Sequence, residues 1–367
     1  MNYKKLFLLL FFLSCNSVVA REVRYLARSP KALLMGDAFT ALADDEYTLF
    51  YNPAALARNK DFNLTPLNPN FGFTNALDQE DQDRFKDIPS NDTGALASRF
   101  TGFPIWIHLG YAPSLKMNGF GLSGVYNYDW SLILRNAVHP ILNVDYRYDK
   151  GVVMGYAHEF NLNKMTSLSV GLSFKAIKRE GIKNSFDLFG TKLLTLINES
   201  DSEASDILNS LGFSKGEAIG FDAGILLTHK SRFYEMAFGA SILDIGDMRF
   251  KLTQGPGPVP IQDMYVNLGF AFSQDFGIID YRFAYDLHPI NEPMDFGSMT
   301  HIGIDLGLPF FRIFGGYNQG YKSYGISADL FILELTLGFF QVELGSKYKE
   351  DPGKRFILSM ELLDFMF

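Results

Sequence analysis

The stretch Met264-Tyr265-Val266-Asn267-Leu268-Gly269-Phe270-Ala271-Phe272-Ser273 decides the fold. Met264, Val266, Leu268, Phe270 and Phe272 form one apolar parity. Tyr265, Asn267, Gly269, Ala271 and Ser273 form a parity of small or polar residues. Successive side chains of a strand point to opposite faces, so this is a strand with one oily and one polar side. The same rhythm recurs in segments of about ten residues from Leu115 to Phe367, the length of a membrane-crossing strand. In 233–242, Tyr234, Met236, Phe238, Ala240 and Ile242 take the lipid side, and Glu235, Ala237, Gly239 and Ser241 turn inward. In 277–287, Ile279, Tyr281, Phe283, Tyr285 and Leu287 face lipid, and Asp280, Arg282, Ala284 and Asp286 face a lumen. An Arg or Lys turned to lipid at mid-depth costs about 2–4 kcal/mol, which fixes the phase. The pattern predicts an all-β chain: a transmembrane antiparallel β-barrel of about 14 strands, with a short N-terminal plug or hatch.

Working outward, the strand candidates are 103–115, 118–132, 143–149, 151–161, 166–180, 217–229, 233–246, 262–274, 277–287, 299–308, 310–318, 323–331, 335–347 and 355–366. Asp149-Lys150-Gly151 reads as a tight hairpin turn between two of them. Phe62 to Phe73 is a fifteenth candidate: either it belongs to the N-terminal plug, or one strand has been divided too finely. Long gaps at 181–216, 247–261 and 288–298 alternate with short ones at 230–232, 275–276 and 309, which puts the C-terminus on the periplasmic side. Within 181–216, Leu188, Phe189, Leu193 and Leu194, then Ile207, Leu208 and Leu211, read as two short amphipathic helices, a small loop core or a hydrophobic landing site. Gly255-Pro256-Gly257-Pro258 predicts a stiff, exposed outer loop. A soluble β-sandwich is the competing fold, but it leaves the long acidic loops and the terminal Phe367 unexplained.

The first 20 residues read as a secretory signal: Lys4 and Lys5, the apolar run Leu6–Leu13, then Val18-Val19-Ala20 before the cut. The run is short of the roughly 18 residues that span a bilayer as a helix, and Phe12-Leu13-Ser14 before Cys15 matches a lipoprotein signal poorly. Cys15 is the only cysteine, so the exported chain has neither disulfides nor Cys-bound metal. The net charge of −8 becomes −10 without Lys4 and Lys5, which argues against nucleic acid as a partner. The domains are then a signal at 1–20, a hatch region at 21–60 and a barrel at 61–367, located in a bacterial outer membrane.

The segment after the signal differs in composition. It contains Met35-Gly36-Asp37-Ala38-Phe39-Thr40-Ala41-Leu42-Ala43-Asp44-Asp45 and, further on, Tyr51-Asn52-Pro53-Ala54-Ala55-Leu56-Ala57. Gly36 and the alanines allow close backbone packing, Asp44 and Asp45 suit a cap or turn, and Asn52-Pro53 starts a short Ala-rich helix. Such an element needs shelter inside the barrel or at its periplasmic mouth.

These two motifs resemble the N-terminal signature of the FadL-type outer-membrane superfamily, closest to its PorV/PorQ-like branch. The resemblance covers about residues 30–57 and is carried by Met35, Gly36, Ala38, Phe39, Ala43, Asp44, Asp45, Tyr51, Asn52, Pro53, Ala54 and Leu56. Asp37 departs from the pattern; it either acts at the hatch or is solvated. The resemblance implies passive passage of hydrophobic small molecules such as long-chain fatty acids: capture at an apolar outer mouth, movement past the hatch, release through the wall. It also implies an alternative, a PorV-like scaffold or shuttle whose partners are secretion-system proteins of type IX.

Leu363, Phe365 and Phe367 share a face and form a barrel-assembly signal, although Glu361 falls on the same parity. Implied partners are outer-membrane lipid, the barrel-assembly machinery, and a hydrophobic ligand or secretion proteins. The chain lacks a Gly-x-Ser-x-Gly elbow, a phosphate loop and a His-Glu-x-x-His zinc motif, which argues against an enzyme, a cofactor or a metal. The histidines 108, 139, 158, 229, 288 and 301 read as interfacial or loop residues. Asp222, Asp280, Asp286 and Asp305 read as lumenal acids pairing with Arg282 and other bases, shaping a channel or wedging the hatch.

Overall fold

The computed structural model describes residues 22–76, 78–87, 93–136, 138–187, 211–362 and 365–366. Fourteen antiparallel strands close into a barrel. Strand β1 is in two pieces, Phe62–Thr65 and Asn70–Thr74, as is β2, Pro104–Tyr111 and Ser114–Met117. Then come β3 (Phe120–Arg135), β4 (Ile141–Asn161), β5 (Thr166–Asp187) and β6 (Ser214–Lys230). Strand β7 (Glu235–Leu243) resumes as Lys251–Gln254 after the excursion 244–250. The meander continues through β8 (Tyr265–Asp275), β9 (Asp280–Leu287), β10 (Thr300–Leu308), β11 (Phe311–Asn318), β12 (Tyr321–Asp329) and β13 (Leu333–Glu343). It ends in β14, Pro352–Leu362 and Phe365–Met366. Closure is by β1 on β14, with Phe71 opposite Leu358 and Leu64 opposite Phe365.

The strand number agrees with the sequence reading, but its composition is corrected twice. Asp149-Lys150-Gly151 is not a turn: Asp149 lies opposite Arg179, Lys150 opposite Lys178, and Gly151 opposite Ile177 in one strand of 21 residues. Asp149 turns inward to bind Arg179 at 2.6 Å, so the polar triplet marks height on the wall rather than a reversal. The contested segment 62–73 is a wall strand. Strand β5 also runs on to Asp187, so the gap predicted at 181–216 is shorter; its two predicted helices lie almost wholly outside the described residues.

Outward positions are apolar and exposed, as at Leu172, Phe221, Phe238, Ile304 and Tyr324. Inward positions carry buried ion pairs: Lys175 with Asp222 at 2.8 Å and Asp244 at 2.7 Å, Arg179 with Asp149 at 2.6 Å. A charge in such a bore persists because it is paired. Strands β4 and β5, of 21 and 22 residues, are twice the length needed to cross a bilayer and stand well above the rim opposite the C-terminus, here the far rim.

Candidate functional site

The lumen is filled by residues 22–60. A five-residue helix, α1 (Pro30–Leu34), is capped by Ser29, whose Oγ accepts from Ala32 N at 3.2 Å. Two 3₁₀ turns follow, Thr48–Phe50 and Pro53–Arg58. The predicted Ala-rich helix is thus 3₁₀, with Asn52 as its cap accepting from Ala54 N at 3.0 Å and Pro53 in its first turn. Leu34, Met35, Ala38, Phe39, Ala43, Ala54 and Leu56 are all buried to within 1% of full burial.

The wall makes room for this hatch with glycine. Ten inward glycines on β3–β8 and β10–β13 fall into five cross-strand pairs: Gly121/Gly155, Gly171/Gly224, Gly239/Gly269, Gly303/Gly316 and Gly325/Gly338. A Cβ at any of the ten would come within 3 Å of a hatch residue, from Leu34 to Leu56. The tightest contact is Gly224, where a Cβ would sit 2.0 Å from Asn52 Oδ1; the tightest backbone contact is Gly316, 2.1 Å from Gly36 N, and a Cβ on Gly303 would sit 2.4 Å from Met35 O. Gly36 itself has φ +67° and is hemmed by Ile302 O and Tyr317 N. Only a residue without a side chain fits there.

Wall side chains satisfy the hatch backbone. Asp286 Oδ2 accepts from Phe39 N at 2.8 Å and Thr40 N at 2.6 Å. Ser323 Oγ accepts from Gly36 N at 2.9 Å and donates to Leu34 O. His301 Nδ1 lies 2.9 Å from Gly36 O, and His288 Nε2 lies 3.0 Å from Asp37 O. The two imidazoles stack at 3.7 Å between centroids. His288 and His301 are therefore not interfacial, as the sequence reading had them; His108 is lumenal too, 2.8 Å from Asn70 Oδ1. Asp37 is not solvated either. Buried, it accepts from the Tyr51 hydroxyl at 2.9 Å and pairs with Arg28. Asp37, His288 and His301 bring three potential metal-ligand atoms within 4.8 Å of one another, but all three side chains are engaged in this latch.

The predicted motif residues thus converge, with different roles. Asp44 pairs with Arg282 and Asp45 closes a turn, accepting from Tyr47 N at 2.9 Å. Of the lumenal acids, Asp305 joins Arg282 and Arg312, Asp280 joins Arg312, Asp222 joins Lys175, and Asp286 holds the hatch backbone. Leu363 and Phe367 lie outside the described residues. Phe365 pairs with outward Leu64, whereas Glu361 lines the lumen 3.9 Å from Lys31. The two residues therefore face opposite sides of the wall, which removes the parity conflict.

Two vestibules flank the hatch. The far one, about 790 Å³, combines Ile133, Val144 and Leu344 with Glu22, Arg24, Arg135, Asp145 and Lys183. It is amphipathic, not the apolar mouth anticipated. The one at the C-terminal rim, about 390 Å³, holds Lys31, Asp44, Asp45, Glu46, Lys116, Arg282, Glu334 and Glu361. Burial and the nearby Glu361 push the Glu46 carboxyl up to about 7; burial and Glu46 do the same for Asp45. Between the vestibules, the cavities around the hatch measure about 80 and 10 Å³, enough for a few waters.

The sequence reading missed the wall beside the hatch. Two neighbouring strands break at one level: β1 at Pro66–Pro69 and β2 at Ala112–Pro113. Proline cannot donate to a ladder, and its presence in 62–73 and 103–115 was the available signal. Here side chains complete the ladder. Asn68 Nδ2 donates to Ala112 O at 2.9 Å, Asn68 Oδ1 accepts from Ala112 N at 3.0 Å, and the Tyr111 hydroxyl donates to Pro66 O at 2.7 Å.

No protein-family model matches the sequence, and none of the curated proteins matches it. Solved structures do. The toluene transporter TodX of Pseudomonas putida aligns over 93% of this chain and 98% of its own, with TM-score 0.50 and 11% identity. The monoaromatic hydrocarbon channel CymD covers the same shares at TM-score 0.49 and 12% identity. The toluene transporter TbuX of Ralstonia pickettii covers 92% and 99% at TM-score 0.43 and 10% identity. At such identities the likeness is one of fold: this chain shares with TodX a closed antiparallel barrel.

Proposed function

We propose that this protein is a FadL-type outer-membrane barrel that admits hydrophobic small molecules and releases them sideways through its wall. The observation that carries the reading is the coincident break in β1 and β2, bridged by Asn68 and Tyr111 rather than by backbone pairing. The hatch leaves the axial route closed, so the wall is the place where the least structure has to move. The far vestibule is within the size range of small-molecule sites, and its mixed lining suits a ligand with an apolar body and a polar end, such as a fatty acid. The shared fold with TodX, a toluene transporter, agrees with this reading but leaves the ligand open.

The exported chain has no cysteine once the signal leaves, so the wall can be locked by design. Leu67, within the break of β1, lies opposite Leu362 of β14. In proteoliposomes, a Leu67→Cys/Leu362→Cys barrel should take up a fluorescent long-chain fatty acid when reduced and stop when oxidised. Uptake indifferent to the crosslink excludes release through the β14–β1 seam. Failure of the wild-type barrel to bind or pass any hydrophobic probe favours the second reading, a PorV-like secretion platform. That reading draws its support from the backbone-tight hatch and the tall wall of β4 and β5.

A further inference from the structure

We infer that the outer face of β3–β7, just beyond the lipid band, binds a phosphorylated glycolipid of the outer leaflet. The inference rests on the outer-membrane reading above, with the C-terminal rim inward. Three layers of the outward face follow one another up these strands. Lowest is apolar surface: Val152, Ala176 and Ile219 stand in one cross-strand row. From Val152 to Phe160 this band spans about nine residues, the thickness of a membrane crossing.

The next outward row is Lys150, Lys178, Glu217 and Lys251, directly opposite one another on four successive strands. Lys178 and Glu217 are more than half exposed. Two lysines face each other without an acid between them, an arrangement that repels across a sheet. The acid contacts are loose: Lys178 to Glu217 is 3.8 Å, and Lys150 to Glu180 is 3.9 Å. Three cations to one acid leave this row net positive at the depth where headgroup phosphates lie, and a phosphate between Lys150 and Lys178 would convert repulsion into attraction.

Above it is an aromatic shelf. Tyr128, Trp130, Tyr146 and Tyr148 pack edge to face or tilted, with centroids 5.3–6.5 Å apart. Lys150 Nζ stands 5.6 Å from the Tyr148 ring, which joins shelf to lysine row. Flat aromatic faces stack on the apolar faces of sugar rings. Acyl chain, phosphate and sugar are thus met in the order in which a phosphoglycolipid presents them.

The test uses the full mature barrel and bisphosphorylated lipid A, with binding read by native mass spectrometry. Wild type should retain it, and Lys150→Gln/Lys178→Gln/Lys251→Gln should bind roughly a hundredfold more weakly, about fivefold per lysine. Dephosphorylated lipid A should mimic the triple variant. Trp130→Ala/Tyr148→Ala should weaken lipid A and leave phosphatidylglycerol unchanged. Inorganic phosphate at millimolar concentration should not compete. Equal retention by wild type and triple variant, or equal binding of phosphatidylglycerol and lipid A, overturns the proposal. Insertion of each variant into phospholipid vesicles is read separately; a wild-type barrel that does not insert overturns the membrane reading and this proposal with it.

Discussion

The two sides of the barrel hold the hatch and the wall in opposite ways. On the β10–β13 side the strands are regular and the wall has given up its side chains: Gly303 and Gly316 let the Met35–Gly36 backbone lie directly on the sheet. On the β1–β2 side the wall keeps its side chains but its ladder is interrupted at one level, where Asn68 stands in for the missing backbone pairs. One side anchors the plug; the other is where the cylinder is weakest. Glycine within a strand weakens it, so the anchored side accepts a local penalty for a contact that no larger residue permits. On the proposed reading, motion is at the break and the hatch is a fixed floor against which the wall opens.

The sharpest way to break the contrast is to push the hatch off its anchor. Gly316→Val places a side chain where the hatch backbone already lies, while its neighbour Gly315 has nothing within 4 Å of an added Cβ. Overpacking of a tight site costs about 1–3 kcal/mol or more, and here the hatch must yield. Gly316→Val is expected to show steady single-channel conductance in planar bilayers, with Gly315→Val silent. Equal conductance in the two variants would mean that the hatch is not seated as described.

Next in size is Asp286, which alone among the lumenal acids named from sequence is spent on hatch N–H groups. Asp286→Ala leaves the Phe39 and Thr40 N–H groups buried without an acceptor, at a cost of about 1–3 kcal/mol each way of counting. Limited proteolysis of the hatch should accelerate in this variant while the barrel keeps its heat-modifiable mobility. Unchanged proteolysis would assign the seating to the glycines alone.

Asn68→Ala addresses the weak side. It removes two hydrogen bonds worth about 1 kcal/mol each, and its effect should be confined to β1 and β2. Hydrogen exchange at Ala112 should rise, with exchange on β10 and β11 unaltered. Fatty-acid uptake should rise with it; slower uptake would show that Asn68 forms the path rather than closing it.

These features were unequally legible in the sequence. The strands were, because alternation against lipid is enforced residue by residue. Where the wall rises above lipid that constraint relaxes, and Asp149-Lys150-Gly151 looked like a turn although Asp149 was bound for Arg179. Strand β1 was ambiguous because Pro66 and Pro69 interrupt it, the same irregularity that makes it of interest. The hatch motif announced a sheltered element, but not its partners: which wall residue meets Gly36 depends on the stagger of β10 and β11. The glycine pairs did leave a trace, since Gly239, Gly269 and Gly303 all fall on the polar parity of their strands. The roles of His288 and His301 left none, for a histidine at a strand end reads alike whether it faces water or a buried carbonyl.

The smallest effect expected is one of pH, and it runs against the usual direction. Glu46, 7% exposed, and Asp45 face the C-terminal vestibule, with carboxyls pushed up to about 7 by burial and by the neighbouring Glu361 and Glu46 respectively. A group whose folded pKa is raised binds its proton more tightly in the seated hatch than in the released one. Between about pH 4.5 and 7 the seated state therefore holds more protons, and its stability falls as pH rises. Water in the vestibule limits the gain to about 1 kcal/mol, well below the full value for such a shift. Hatch proteolysis should be slower at pH 5 than at pH 8, and Glu46→Gln should flatten most of that difference. The backbone contacts of Gly36 with Gly303 and Gly316 contribute nothing to such a slope, since they involve no titratable group. A pH response that survives Glu46→Gln would move its source to Asp45, which faces the same vestibule.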